Sequence, residues 1–250
     1  MSIIIKKINS FKKRSFIKKL LTILCALVIL FVSTAGMYWV RRICKNYYDN
    51  NVFKSLDISG VDKLMIVAHP DDETIWGGGH LIEGGYLVVC LTDSHKKGRK
   101  NEFVNAVIKA NETNIPIILD FPDKTFGIRD NWFGIKGKIT NTVNSIIKMK
   151  DWDLIVTHNK DGEYGHIQHK AVSDIVKNEY TKLGKQDDLY FFGTYHSKKK
   201  ISYFENQMIP MDNELYNKKI ENLKSFPSQK NIINKLFHMI RYENWTQYNN

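Results

Sequence analysis

Cysteine and proline are scarce in this chain, which has three Cys and five Pro among 250 residues. Cys25, Cys44 and Cys90 stand far apart, without the close pairs that thiolate zinc sites and redox motifs need. With 43% hydrophobic and 25% charged residues, the chain can bury one good-sized core. The sequence therefore excludes a disordered tail and a small disulfide-stapled protein, and it argues against a metal held by cysteines.

Acidic residues are absent from the first 45 positions, which contain ten Lys or Arg. Residues 46–250 hold 27 basic and 26 acidic residues, so nearly all of the formal net charge of +11 lies at the N-terminus. Nucleic-acid binding depends on a positively charged surface that neutralises phosphates. The nearly neutral remainder of the chain therefore predicts no nucleic-acid partner.

The basic N-terminus flanks an apolar stretch, residues 20–40, whose length matches a bilayer. At 1.5 Å per residue it spans about 31 Å, against about 30 Å for the hydrocarbon core of a membrane. Seven basic residues precede it and three follow, which predicts a cytoplasmic N-terminus and an extracytoplasmic remainder. We expect a single-pass protein of the cell membrane, and a signal peptide cleaved near Ser33–Ala35 is the alternative.

Short β-branched runs alternate with longer amphipathic segments from about residue 62 onward. This alternation predicts an α/β fold, a Rossmann-like three-layer sandwich with a mostly parallel sheet, preceded by one N-terminal transmembrane helix. Strands are predicted at 63–69, 86–93, 116–121, 153–158 and 188–195, and helices near 76–84, 99–112, 132–149, 166–183, 213–225 and 228–241. The predicted divisions are a cytoplasmic basic segment 1–19, a transmembrane anchor 20–40, a linker 41–61 and a main domain 62–250.

The first predicted strand runs directly into His69-Pro70-Asp71-Asp72-Glu73. Pro70 favours extended geometry at His69, and Asp72 follows across the turn, so an imidazole and a carboxylate share one tight loop. They would supply two ligands of a three-ligand catalytic zinc site, which keeps a fourth position open for water. Asp71 is predicted to be the general base beside that water. The alternative is a carboxylate cluster that only caps the next helix.

A second loop of interest follows the fourth predicted strand and contains His166 and His169, three residues apart on the first turn of a helix. His169 is predicted to be the third metal ligand, and His166 to meet the substrate oxygen or the leaving group. A surface pair of histidines is the alternative. His95 is predicted to be an exposed loop residue rather than a further ligand, and His158 a packed residue at a strand end.

These strings resemble the PIG-L or LmbE-like family of zinc-dependent de-N-acetylases, over about residues 62–250. The AHPDDE opening is the most specific part of the resemblance. Further matches follow in chain order: Gly77-Gly78-Gly79 and Gly85, Arg99 with Glu102, Asp120-Phe121-Pro122-Asp123, and Ser228-Gln229.

The resemblance implies a metal centre with a general base and an oxyanion-stabilising group beside it. Its ligands would be His69, Asp72 and His169, holding Zn²⁺ or another divalent transition metal, with Asp71 as base and His166 as the group that stabilises the oxyanion or protonates the departing amine.

The resemblance also assigns two residues to contact with the substrate. Tyr164 matches an aromatic hydroxyl near the substrate carbonyl, and Arg99 matches a substrate-facing basic position. A surface ion pair between Arg99 and Glu102 is the alternative for the latter. Two departures from the family also stand out: Gln168 replaces an acidic neighbour of the second histidine, and the familiar glycine-rich loop is altered at residues 92–98.

By resemblance, the reaction would be hydrolysis of the N-acetyl amide of an amino sugar. An exported and membrane-tethered enzyme would meet N-acetylated glycans or glycoconjugates of the cell envelope. Deacetylation of a membrane glycolipid headgroup is the nearest alternative. A catalytically inactive glycan-binding protein of the same fold is the alternative from another class, supported by Gln168 and the altered loop.

Overall fold

The N-terminal unit is a single helix, α1, which runs over Ser2–Cys44. A computed structural model describes residues 2–48, 53, 55–184 and 188–248. Among these, one helix is long and apolar enough to cross a membrane: Phe16–Cys44, with a mean hydropathy of 2.5 in its most apolar part. It exceeds the predicted span 20–40 at both ends because the flanking basic residues are good helix formers, and neither Gly nor Pro interrupts them.

The second unit, residues 47–250, alternates strands and helices. Its strands are β1 Lys63–Val67, β2 Tyr86–Thr92, β3 Ile115–Phe121, β4 Lys124–Thr125, β5 Ile128–Arg129, β6 Leu154–Thr157, β7 Leu189–Phe191 and β8 Thr246–Gln247. Its helices are α2 Asp72–Glu83, α3 Lys97–Ala110, α4 Lys136–Ile147, α5 Ile167–Thr181, α6 Asn213–Leu223 and α7 Lys230–Leu236. A distorted turn, Gly162–Gly165, precedes α5.

Six strands form one sheet in the order β3-β2-β1-β6-β7-β8. Every neighbouring pair is parallel except β7 with β8, which confirms the predicted α/β fold with a mostly parallel sheet. The neighbours of β1 are β2 on one side and the much later β6 on the other. Open α/β sheets bind ligands at such a switch point, beyond the carboxyl ends of the strands. The two loops of interest leave β1 and β6 there.

The hydrophobic core consists of two layers, one on each face of the sheet. Alternate residues of β1 point to opposite faces: Leu64 and Ile66 belong to the layer covered by α4 and α5, and Met65 and Val67 to the layer covered by α2, α3 and α6. All seven residues of β2 are buried. The strand ends that carry the polar loops are therefore fixed between two packed layers.

Three consecutive glycines, Gly77–Gly79, allow the C-terminal part of the chain to approach α2 closely. A Cβ at Gly77 would stand 2.7 Å from Met65 Cε, and a Cβ at Gly79 would stand 3.0 Å from Glu243 Oε2. Such distances are shorter than real Cβ contacts, so larger residues would displace these neighbours. The glycines that mark the sequence motif thus serve packing against α2.

A buried ion pair, Lys219 with Glu243, occupies the space that the glycines leave. The Nζ of Lys219 donates to Glu243 and, at 2.8 Å each, to the carbonyls of Ile75 and Ile240. Glu243 also accepts the backbone amides of residues 79–80, at 2.8 and 3.2 Å. The pair is thus hydrogen-bonded directly to the backbone of α2.

Residues in the predicted linker 41–61 also contribute to the second unit. Tyr47 is buried, its carbonyl accepts the amide of Asp120 at 2.8 Å, and its ring stacks on Phe121 at 4.8 Å. Buried contacts therefore begin before the predicted domain start at residue 62. The division of the chain into four segments stays a prediction.

Candidate metal site

Two loops at the carboxyl edge of the sheet place the predicted residues side by side. The first leaves β1 with His69 and turns sharply at Asp71, whose φ is 125°, so that Asp72 can begin α2. Such a backbone conformation costs about 1–3 kcal/mol in a residue other than Gly. The second loop follows β6, and it ends with His166 as the N-cap of α5 and His169 in its first turn.

Three acceptor atoms converge where these loops meet. The Nδ1 of His69 lies 3.2 Å from Asp72 Oδ2 and 3.1 Å from His169 Nε2, and the latter two atoms are 3.3 Å apart. Ligand atoms about 2.0–2.1 Å from a tetrahedral Zn²⁺ lie about 3.3–3.4 Å from one another. The three side chains are buried, and their spacing fits one small divalent cation.

Neighbouring groups determine which nitrogen of each histidine carries a proton. His169 Nδ1 lies 2.5 Å from the carboxylate of Glu163, and His69 Nε2 lies 2.7 Å from Gln168 Oε1. Each of these nitrogens is a donor, since its partner is an acceptor oxygen. In neutral rings the opposite nitrogens, the two that face Asp72, would then have free lone pairs, as metal ligation requires.

Gln168 compensates for the acidic residue that the sequence lacks. Its side-chain amide donates to the carbonyls of Pro122 and Asp123 at 3.2 and 3.1 Å, which turns its oxygen toward His69. A neutral amide therefore serves as the acceptor behind one of the predicted ligand histidines.

His158 lies packed just after β6, and with Asp72 and His169 it forms a second group of side chains that could hold a metal ion. Its Nε2 accepts the backbone amide of Ala68 at 2.9 Å, and its Nδ1 lies 3.1 Å from Glu163. Both nitrogens are thus engaged, and the side chain is fully buried. It connects the ends of β1 and β6.

His166 faces the same space but differs in its hydrogen bonding. Its ring lies 4.6 Å from that of His69 and 4.3 Å from that of His169. Its Nδ1 accepts the amide of Gln168 at 3.3 Å, so the proton of a neutral ring resides on Nε2. Burial, then the neighbouring His169 and His69, lower the pKa of His166, which favours this neutral form. Tyr164 lies beside it, 6.0 Å away between ring centres.

Asp71 and Arg99 lie together at the rim of the site. Arg99 Nη2 is 2.5 Å from the carbonyl of Pro70 and 3.7 Å from Asp71 Oδ1. Burial, followed by the charge of Asp72, raises the pKa of Asp71, and Arg99 acts in the opposite direction. A carboxylate with a raised pKa suits proton transfer near neutral pH.

The alternative of an Arg99–Glu102 ion pair is wrong. Glu102 instead accepts the backbone amide and the hydroxyl of Ser228, at 2.9 and 2.5 Å, which joins two of the motifs noted in the sequence.

His95 is exposed, as predicted, and its Nδ1 lies 2.6 Å from Asp120.

Sequence reasoning missed several side chains of this site. Glu163 is buried, and although burial raises its pKa, His158 and His169 bring that pKa down to about 2. Asp123 pairs with Arg129, and its Oδ1 lies 3.4 Å from His69 Nε2. Glu163 stood within the second loop string and could have been noticed there, whereas Arg129 had no signal in the sequence.

The fold and the site together define an α/β protein with a His/Asp centre suited to a divalent metal ion. Residues 64–180 match the model of the PIG-L family, described as GlcNAc-PI de-N-acetylase. This segment, which holds both loops, thus matches the PIG-L de-N-acetylase family, and the resemblance seen in the sequence is confirmed over these residues.

A curated relative is similar to part of the chain. It is the uncharacterized protein L374 of Acanthamoeba polyphaga mimivirus, 34% identical over 148 residues, or 52% of this chain. The chain spans 63% of the length of that relative.

Proposed function

We propose that this protein is a metal-dependent hydrolase that removes the N-acetyl group from an N-acetylated amino sugar of a cell-envelope glycan or glycoconjugate. The observation that carries the proposal is the convergence of three potential ligand atoms, from His69, Asp72 and His169, within 3.1–3.3 Å of one another. Acceptor atoms at this distance repel unless a proton or a cation lies between them. The family of the domain supplies the reaction class.

Zinc is the metal that the donor set favours, because two imidazoles and one carboxylate leave a fourth tetrahedral position open. Such an ion would polarise an amide carbonyl and make water a better nucleophile near neutral pH. In this proposal His69, Asp72 and His169 hold the ion.

Asp71 is the proposed general base. Its neighbour Asp72 is engaged in ligation, whereas Asp71 is held at the rim by the turn and by Arg99. It would accept a proton from the attacking water and later release it toward the departing amine.

His166 is proposed to stabilise the developing oxyanion. Since its Nδ1 accepts the amide of Gln168, its Nε2–H is the available donor, and a neutral donor in a buried site stabilises negative charge effectively. Tyr164 and Arg99 border the same space and are proposed to contact the substrate.

Membrane anchorage is part of the proposal. It is supported by the apolar helix Phe16–Cys44 and by the excess of basic residues before it, which favours a cytoplasmic N-terminus and an extracytoplasmic catalytic domain.

The test is acetate release by the full-length protein in detergent from N-acetylated envelope glycans. We expect Asp71→Asn to reduce turnover by about 10²- to 10⁴-fold while the metal content stays that of the wild type. The matched control is Asp161→Asn, the same change at an exposed position of the second loop, and it should retain turnover. Full activity of Asp71→Asn would remove this residue from the role of base.

A further inference from the structure

A cavity of about 310 Å³ lies beside the candidate metal site, at the same edge of the sheet. Part of its wall, residues 193–196, follows the end of β7, just as the two site loops follow β1 and β6. In the sheet β7 lies two strands from β1, about 10 Å at the usual strand spacing. The cavity therefore opens near the reaction centre without overlapping it.

Trp76 links the cavity to the site. It stands one helical turn after Asp72 on α2, it lines the cavity, and its ring centre is 6.4 Å from that of Tyr164. Tyr164 in turn lies 5.7 Å from the ring of His169. Two ring contacts thus separate the cavity from a proposed metal ligand.

The cavity has aromatic walls and neutral polar groups. Trp76, Phe204 and Tyr242 supply rings and Gln207 supplies an amide, whereas the amide of Asn244 bonds to the backbone of Ile209. Of the eleven described residues that line it, none is Lys, Arg, Asp or Glu. A phosphate or a carboxylate would find neither Lys nor Arg here, whereas an uncharged ring with hydroxyl groups and apolar C–H faces suits these walls.

We propose that this cavity is a subsite for an uncharged sugar residue next to the one that is deacetylated. The inference rests on the proposed function and narrows it: the substrate would be an oligomeric or polymeric glycan, with a neutral sugar rather than a phosphate-bearing group in this position.

The experiment compares substrates and variants of the full-length protein in detergent. Acetate release is measured from N-acetylglucosamine and from its β-linked trisaccharide, and binding of the trisaccharide is measured separately by calorimetry. We expect the wild type to prefer the trisaccharide in kcat/KM. Phe204→Ala should weaken trisaccharide binding by about tenfold and reduce that preference. Inositol 1-phosphate should not compete for this binding.

The matched control is Tyr203→Ala, next to Phe204 but 75% exposed and not among the lining residues. It should behave as the wild type, and circular dichroism of all variants separates loss of a contact from loss of the fold. Absent trisaccharide binding, equal preference in wild type and Phe204→Ala, or strong competition by inositol 1-phosphate would overturn the inference. If Phe204→Ala weakens trisaccharide binding but the wild type releases no acetate, the subsite is supported and the proposed hydrolase function is contradicted.

Discussion

Two buried polar clusters contact the same helix, α2, and they differ in how their hydrogen bonds are satisfied. In the middle of the helix, Lys219 donates to Glu243 and to two carbonyls, and Glu243 accepts two further amides. At its N-terminal end, His69, Asp72 and His169 turn three acceptor atoms toward one another. The first cluster is complete within the chain. The second needs a proton or a cation between its converging atoms, which is why we interpret one as structural and the other as functional.

The largest stability effect is expected from breaking the complete cluster. Lys219→Ala leaves Glu243 buried without its partner, so we expect a loss of about 3–5 kcal/mol in the free energy of unfolding, measured by chemical denaturation. The matched control is Lys218→Ala, the adjacent residue, whose ion pair with Glu214 is exposed and which should leave the denaturation midpoint nearly unchanged. Equal midpoints for the two variants would show that the buried pair does not hold α2.

A smaller effect is expected from the residue that orients His69. Gln168→Leu removes the acceptor of His69 Nε2 and leaves the carbonyls of Pro122 and Asp123 without their donor. Loss of such an orienting group lowers metal affinity by about 10- to 100-fold, which competition with a chelator would measure. Gln168→Glu keeps an acceptor and should regain part of the affinity. Wild-type affinity in Gln168→Leu would mean that His69 needs no orienting partner.

The smallest effect is a pH dependence of stability. Burial lowers the pKa of Lys219 below its usual 10.5, although Glu243 raises it. Between the pKa of Lys219 in the folded chain and 10.5, the unfolded chain binds more protons than the folded chain. The free energy of unfolding therefore rises with pH in that window, and this gain is lost as the pH drops through the folded pKa. The difference in unfolding free energy between the wild type and Lys219→Met should therefore increase toward pH 10.5. A flat difference would contradict the lowered pKa.

The sequence predicts the order of strands and helices well because the two kinds of segment alternate and are clearly separated. It fails where tertiary contacts decide: the hairpin β4–β5 closes around Phe126 and Gly127 at positive φ, and the predicted helix at 132 begins only at Lys136. Trp132 itself has a positive φ of 61°, which is incompatible with a helical start.

The site is predictable to a similar extent. The two loop strings contain the three converging residues, because chemistry-bearing residues cluster at strand ends. Asp123 was noted only as part of a motif and Arg129 not at all, since their approach to His69 depends on how a short hairpin folds back over the sheet edge. Lys219 and Glu243 lie outside any motif, and only the packed structure joins them to α2.

Metal content is the most direct test of the central claim. The full-length wild type and His169→Ala are incubated with Zn²⁺, dialysed and analysed by mass spectrometry, with His95→Ala as an exposed-histidine control. The account predicts about one ion per chain in the wild type and in His95→Ala, and none in a folded His169→Ala. Retention of the full metal content by His169→Ala, or a wild type that binds no metal, would contradict it.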